Sequence, residues 1–328
     1  MKTIIIGLNW LGDIIMSFPA IMAAAGSGEV HIITRPHLAQ VYHLADLPVK
    51  IHQVATNANP VEVIRQLQPL RKLKADNIIV LPDSLRAAII AKLCKSSIST
   101  GFATQFRSWL LTNAVKKPDN FVEMHESELH FRLIKEAGLT QLASTPELKP
   151  NRFQDGFFVK LADRLGLEPD HDYMVLAPGA AFGAAKRWPP AKFSQLAGLL
   201  ASHFGLPLLV TGSLSENQIV EEICRNSSAR LINAAGKTDL HELACLLSHA
   251  RALIANDSGT MHLAALYATP TIVPVGPTDM VRTGPLNGNF SGVYSAENCP
   301  KAPCRQRTCP LKNHVCMESI APQAVFAA

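Results

Sequence analysis

Short runs of consecutive apolar residues alternate with longer stretches in which apolar positions recur at helical spacing, and this rhythm appears twice. In the first half Thr3–Ile6, Val30–Thr34, Ile51–Ala55 and Asn77–Leu81 read as strands. They are apolar at successive positions, as expected of strands covered on both faces. The stretch Ile15–Ala25 after the first of them reads as a helix. In the second half Met174–Ala177, Leu208–Thr211, Leu231–Asn233, Ala252–Ala255 and Thr271–Val275 repeat the rhythm. A charged, mixed stretch from Leu148 to Asp172 separates the two series and ends in Glu168-Pro169-Asp170-His171-Asp172, which has the composition of a linker. Strands alternating with helices predict βαβ units and a parallel sheet. The expected fold is therefore α/β, with two Rossmann-like, doubly wound domains facing each other across a cleft, the first over residues 1–165 and the second over 166–328.

Length supports the division, because 328 residues exceed the range over which one hydrophobic core keeps growing. Hydrophobic residues make up 48% and charged residues 17%, as in globular proteins. No apolar run reaches the ~18 residues of a membrane-spanning helix. Asn9 and Asp13 interrupt the apolar N-terminal segment and no small-residue cleavage pattern follows, so it reads as a strand of a cytoplasmic protein. The net charge of +5 is modest but unevenly placed. Between Lys50 and Lys117 eleven Lys and Arg face three acidic residues, a local excess of 11 − 3 = +8. Such a surface suits an anionic substrate or lipid headgroups as well as plain solvation. Nucleic acid is not expected: aromatic residues are 6% and no binding motif is present.

The turns that follow the strands carry the candidate chemistry, since open α/β sheets bind ligands at the carboxyl ends of their strands. The most informative is Asn256-Asp257-Ser258-Gly259-Thr260-Met261-His262, a strand-to-helix turn whose Gly259 permits close approach. Its unpaired N–H groups are suited to a phosphate or a sugar hydroxyl, or the turn is simply a capped one with a buried His262. The first turn, Gly7 to Ile14, lacks the G-x-G-x-x-G spacing of a dinucleotide fingerprint. Its Asp13 lies near a helix N-terminus and is either a dipole-compensating carboxylate or a general base. In the second half, Pro178-Gly179-Ala180-Ala181 lets a ligand approach closely, and Lys186-Arg187 suits a diphosphate. Thr211-Gly212-Ser213-Leu214-Ser215-Glu216 places Glu216 either on a ribose or at a helix start. Gly236-Lys237-Thr238 has no glycine at the P-loop spacing before it, and the residues that follow end in a helix cap. Pro274 to Asp279 is a further turn at the same kind of position.

Taken together, Gly12-Asp13, the P-G-x(5–7)-K-R-W-P stretch from Pro178 to Pro189, the G-S-x-x-E turn from Gly212 to Glu216 and N-D-S-G-x-x-H from Asn256 to His262 resemble the ADP-heptose:lipopolysaccharide heptosyltransferases. The tail, Cys299-Pro300-Lys301-Ala302-Pro303-Cys304-Arg305-Gln306-Arg307-Thr308-Cys309-Pro310 through His314-Val315-Cys316, is similar to the heptosyltransferase II branch, which adds the second inner-core heptose. The resemblance covers nearly the whole chain. It implies a GT-B architecture, an acceptor-binding first domain, a donor-binding second domain and transfer with inversion. It also implies ADP-L-glycero-D-manno-heptose as donor and the lipopolysaccharide inner core, Kdo-lipid A bearing one heptose, as acceptor. By similarity Asp13, beside Gly12, deprotonates the acceptor hydroxyl, Lys186 binds donor phosphate and Glu216 the ribose. Asp257 holds the heptose hydroxyls, Ser258, Gly259 and His262 complete the contacts, and Thr238 belongs to the donor side. Where relatives often carry hydroxyl residues, Ala180 and Ala181 leave phosphate binding to backbone groups. No cofactor or metal is required, and peripheral contact with the cytoplasmic face of the inner membrane is expected.

Cys299, Cys304, Cys309 and Cys316 cluster in the tail without the C-x2-C spacing of a zinc ribbon. A cytoplasmic setting disfavours stable disulfides, so a reduced cluster, disulfides formed on oxidation and a thiolate metal site all stay open. The competing functional readings are a GT-B-like sugar-nucleotide epimerase or hydrolase, a transferase using a different sugar acceptor, and a non-enzymatic binding protein.

Overall fold

The structure, a computed structural model, describes residues 1–142, 144, 146, 148–286, 289–295 and 299–328. The chain forms two compact units, Met1–Asn151 and Arg152–Ala328. The division lies fourteen residues before the expected 165/166 boundary. The reason is the helix Phe157–Leu165, which belongs wholly to the second unit. Arg164 forms an ion pair with Glu242 at 2.8 Å, and Phe158 stacks on His249 with ring centroids 4.0 Å apart.

The first unit holds one parallel sheet of β1 (Lys2–Ile6), β2 (Glu29–Thr34), β3 (Val49–Gln53), β4 (Asn77–Val80), β5 (Ile98–Phe102) and β6 (Asn113–Val115). Their spatial order is β3-β2-β1-β4-β5-β6. β1 pairs in register with β2 on one side and β4 on the other, so chain direction reverses its progress across the sheet at β1/β4. β1 and β4 are buried at nearly every position, as parallel strands covered on both faces must be. The helix Leu11–Ala25 follows β1 and packs along the helix Glu126–Glu136. It tolerates Pro19 in its interior, where Phe18, Ala20 and Ile21 are fully buried. Packing of that apolar surface offsets the missing backbone N–H.

The second unit repeats the plan. Its strands β7 (Met174–Ala177), β8 (Leu208–Val210), β9 (Leu231–Asn233), β10 (Ala252–Ala255), β11 (Thr271–Val275) and β12 (Phe290–Tyr294) are parallel and ordered β12-β11-β10-β7-β8-β9. Read from the other edge this is the same order as the first sheet, with the switch point at β7/β10. Helices Pro190–Phe204, Asn217–Asn226, Leu240–His249 and Gly259–Leu266 cover its faces. Trp188, Phe193, Leu196, Val220, Ile223 and Ile254 fill one side of the core together with Met317, Ile320 and Val325 from the C-terminal segment. The tail is thus an integral part of the second unit. Among the described residues no helix is long and apolar enough to cross a membrane.

Three strands escape a reading of apolar runs. β5 is Ile98-Ser99-Thr100-Gly101-Phe102, polar in its middle yet buried there. Ser99 and Thr112 satisfy each other: the Ser99 N–H donates to Thr112 Oγ1 at 2.7 Å and the Thr112 N–H to Ser99 Oγ at 3.0 Å. β6 has three residues, and β12 carries Ser291 and Gly292.

Candidate functional site

In the second unit the two turns at the switch point are tied together by one side chain. Asn256, fully buried just after β10, accepts the Trp188 N–H at Oδ1 (2.9 Å) and donates from Nδ2 to the Pro178 carbonyl (2.7 Å). The turn after β7 is therefore clamped at both ends by a residue of the turn after β10. Between those clamps Lys186 reaches Asp257, Nζ to Oδ2 at 2.7 Å, with side chains 14% and 5% exposed. A pair this dry is held by its geometry, because neither charge is well solvated alone. Lys186 and Asp257, singled out separately in the sequence, prove to be direct partners.

Ser258 occupies the N-cap position of the helix Gly259–Leu266, yet its side chain makes no cap hydrogen bond. Ser258 Oγ, Arg187 Nε and Thr278 Oγ1 are buried and find no hydrogen-bond partner among the described residues. Buried polar atoms are normally paired, so these three provide hydrogen-bonding capacity suited to a polar ligand. His262 lies inside the same helix and is buried.

Glu216 ends the short 3-10 turn Leu214–Glu216 that leads into the helix Asn217–Asn226. Its Oε2 accepts from the Ser213 N–H and Ser213 Oγ, both at 2.8 Å, in a capping box. The helix-start role is thus present, and the carboxylate also lies against the turn after β7. A Cβ added to Gly179 would fall 2.2 Å from Glu216 Oε1, so a glycine is required for that approach. Ala180 is buried while Ala181 is exposed, and Thr238 is half-buried one residue before the N-cap Asp239. Asp239 is the N-cap that the sequence suggests for that turn, and with Glu242 it forms a second capping box.

The tail adds a residue that the motifs did not single out. The Ala185 N–H donates to the Arg307 carbonyl at 3.0 Å, and a Cβ on Gly183 would strike the Arg307 backbone. Arg305 N–H donates to the Pro277 carbonyl at 2.8 Å. The segment is thereby stitched to the turns after β7 and β11. It sets the Arg307 guanidinium 5.0 Å from the Phe182 ring centre, while Lys186 Nζ lies 5.2 Å from the same ring. Two cations thus share one aromatic ring in the turn after β7. The only signal in the sequence was the nearby cysteine pattern.

All four tail cysteines are free thiols and half-buried. Burial, reinforced by the neighbouring Cys299, Cys309 and Cys304, pushes the Cys316 thiol up to about 11. The four thus share one neighbourhood. Among the described residues no group of three or more His, Cys, Asp or Glu side chains is arranged to hold a metal ion.

In the first unit the helix after β1 begins at Leu11, earlier than the expected Ile15. Gly12 and Asp13 therefore lie in its first turn, Gly12 buried and Asp13 half-buried. The extended Trp10 enters the helix without a side-chain cap, so a carboxylate in the first turn is favoured by the helix dipole. Deeper in the unit, burial pushes the His130 imidazole down to about 4, with Glu126 opposing the shift.

The chain is similar to known proteins. Lipopolysaccharide heptosyltransferase 2 of Salmonella typhimurium is 28% identical over 304 residues, covering 88% of this chain and 86% of its own. Lipooligosaccharide heptosyltransferase 2 of Campylobacter jejuni is 29% identical over 244 residues, covering 72% and 74%. The solved structure of Escherichia coli ADP-heptose LPS heptosyltransferase II superposes with a TM-score of 0.82 at 22% identity, covering 100% of this chain and 97% of that one. At that identity it establishes the fold, the two-sheet GT-B architecture. The family profile of glycosyltransferase family 9 (heptosyltransferase) matches residues 63–315, more than half of the sequence, and the chain belongs to that family of glycosyltransferases.

Proposed function

We propose that the protein transfers a heptose from ADP-L-glycero-D-manno-heptose to the lipopolysaccharide inner core, adding the second heptose to the first, with inversion at the anomeric carbon. The observation that carries the reading is the clamped turn of the second unit. There Lys186 and Arg307 flank Phe182, and Lys186 is locked to Asp257. Family membership and the names of the relatives supply the sugar.

In this reading the diphosphate of the donor lies against Lys186, Arg307 and the N–H groups that open the helix at Gly259, and Ser258 Oγ donates to it. The adenosine ribose meets Glu216, whose Oε1 is not part of the capping box. Thr238 stays on the donor side, and Asp257 orients heptose hydroxyls while Lys186 holds it in place. His262 supports the turn from within its helix. An acceptor hydroxyl attacks the anomeric carbon, Asp13 takes its proton, and the bond from that carbon to the β-phosphate oxygen breaks. The negative charge growing on departing ADP is met by fixed cations and N–H dipoles, so the mechanism calls for no metal or other cofactor. The acceptor is lipid-linked, so in this reading the enzyme works at the cytoplasmic face of the inner membrane.

The test is ADP release from ADP-heptose with and without an acceptor bearing one heptose, for the natural chain and Asp13→Ala. Acceptor-dependent release that falls by at least roughly 10²-fold in the variant, with ADP binding intact, supports Asp13 as base. Release that ignores the acceptor supports a hydrolase, and undiminished transfer by the variant removes Asp13 from the mechanism.

A further inference from the structure

The loop between β5 and β6 holds two large aromatic side chains in water: Phe106 is 97% exposed and Trp109 77%. Between them Arg107 is fully buried. Its guanidinium donates to the Phe102 carbonyl (3.0 Å), the Pro82 carbonyl, the Ser84 carbonyl (3.2 Å) and Asp83 Oδ1 (3.0 Å). Gln105 and Phe106 both adopt left-handed backbone, φ 49° and 53°. Such conformations cost non-glycine residues about 1–2 kcal/mol each. The anchored arginine and the strained pair produce one result: a fixed loop that turns its apolar side chains outward. An ordinary surface loop has no reason to be built this way, since exposing two large aromatics forgoes their burial.

The surroundings extend the patch. The turn Ser108–Leu110 packs against the helix Leu85–Cys94, whose exposed Leu85 and Ile89 lie one turn apart on one face, with Lys92 next along it. On the same edge Arg86 in the first turn of that helix and Lys116 just after β6 are exposed, whereas Arg107 and Lys117 are taken up by Asp83. β5 is two strands from β1 in a parallel sheet, so the loop stands on the same edge as Asp13, about 10 Å along it by strand spacing.

We propose that this edge of the first unit docks on an anionic lipid bilayer, with Phe106 and Trp109 entering the interface and the neighbouring lysines and arginines meeting the headgroups. Aromatic rings at the headgroup level and basic residues around them are the chemistry that holds a peripheral protein on such a surface. A globular partner or a second copy would satisfy the rings but leaves the basic surround without a reason. The inference uses the proposed function in one respect, the lipid-linked acceptor, which docking brings to the edge that carries Asp13.

The experiment is co-sedimentation of the full chain with acceptor-free vesicles, either phosphatidylethanolamine with phosphatidylglycerol or phosphatidylcholine alone, comparing the natural chain with Phe106→Ser/Trp109→Ser. Expected are binding to the anionic vesicles, weakening with added salt, and roughly a tenfold or larger loss in the double variant. Its thermal unfolding and its transfer to an inner-core oligosaccharide freed of acyl chains stay unchanged. Equal vesicle binding by variant and natural chain overturns the proposal, as does absence of binding to anionic vesicles. A concentration-dependent dimer in sedimentation equilibrium that the double variant abolishes also overturns it, by showing that a second copy covers the patch. Failure of the natural chain to glycosylate the soluble oligosaccharide counts against the proposed function and leaves the vesicle result standing.

Discussion

Replacing Lys186 by Met separates the structural from the functional role of the ion pair at the switch point. The side chain keeps its length and loses its charge, which leaves the Asp257 carboxylate, 5% exposed, without its partner at 2.7 Å. Breaking a buried pair on one side costs about 3–5 kcal/mol. Lys186 itself is 14% exposed, so water screens part of the interaction and roughly 2–4 kcal/mol is expected here. With a urea slope of about 2 kcal/mol per molar, the midpoint of the second unit falls by about 1–2 M. Trp188 reports on that unit, being buried in its core with its indole N–H bound to the Ile320 carbonyl at 3.1 Å. Adding Asp257→Asn removes the stranded charge and returns most of the stability. It does not return ADP binding, which the single change weakens by roughly 10- to 100-fold through loss of the phosphate contact proposed for Lys186. Urea titration followed by Trp fluorescence and ADP calorimetry read the two effects separately. A single variant that unfolds at the natural midpoint, or a double variant that regains both stability and ADP affinity, refutes the reasoning.

Other perturbations follow from the same geometry. Gly179→Ala places a Cβ 2.2 Å from Glu216 Oε1, so the carboxylate must leave Ser213. A loss of about 1 kcal/mol in unfolding free energy and a several-fold weaker ADP affinity in calorimetry are expected. The buried His130 supplies a pH dependence in the first unit. Its folded value is about 4 against 6.5 for the free side chain, so the unfolded chain takes up the proton first as pH falls. The stabilisation is full above pH 6.5 and is lost progressively down to about 4. It amounts to roughly 3 kcal/mol at most. His130→Leu, followed by urea denaturation at pH 7, 5.5 and 4, loses correspondingly less stability than the natural chain across that range.

Most of the frame of the second unit was legible because it is built from local signals. β7, β9, β10 and β11 coincide with their apolar runs, and the cap Asp239 sits where the turn residues place it. What escaped the sequence depends on partners distant in the chain. β5 is a strand because Ser99 pairs with Thr112, which no reading of hydrophobic runs can reveal. The boundary between units falls at 151/152 because the helix Phe157–Leu165 uses its aromatic face on the second unit. Arg307 reaches the turn after β7 across more than a hundred residues, carried by a tail whose motif drew attention to its cysteines instead. Asn256 was visible as the first residue of a motif, but its clamp on Pro178 and Trp188 is a tertiary fact. Of the two roles the sequence left open for Glu216, the structure shows the helix-start carboxylate, which also lies against Gly179.

The central claim is that the clamped turns of the second unit present a heptosyl donor to a saccharide acceptor. Its most direct test is the mass of a one-heptose inner-core oligosaccharide after incubation with ADP-heptose and the natural chain. The account predicts that the oligosaccharide gains one heptosyl residue in step with ADP formation, and that Lys186→Met slows both together. An oligosaccharide of unchanged mass while ADP accumulates, or a gain obtained from another nucleotide sugar and not from ADP-heptose, contradicts it.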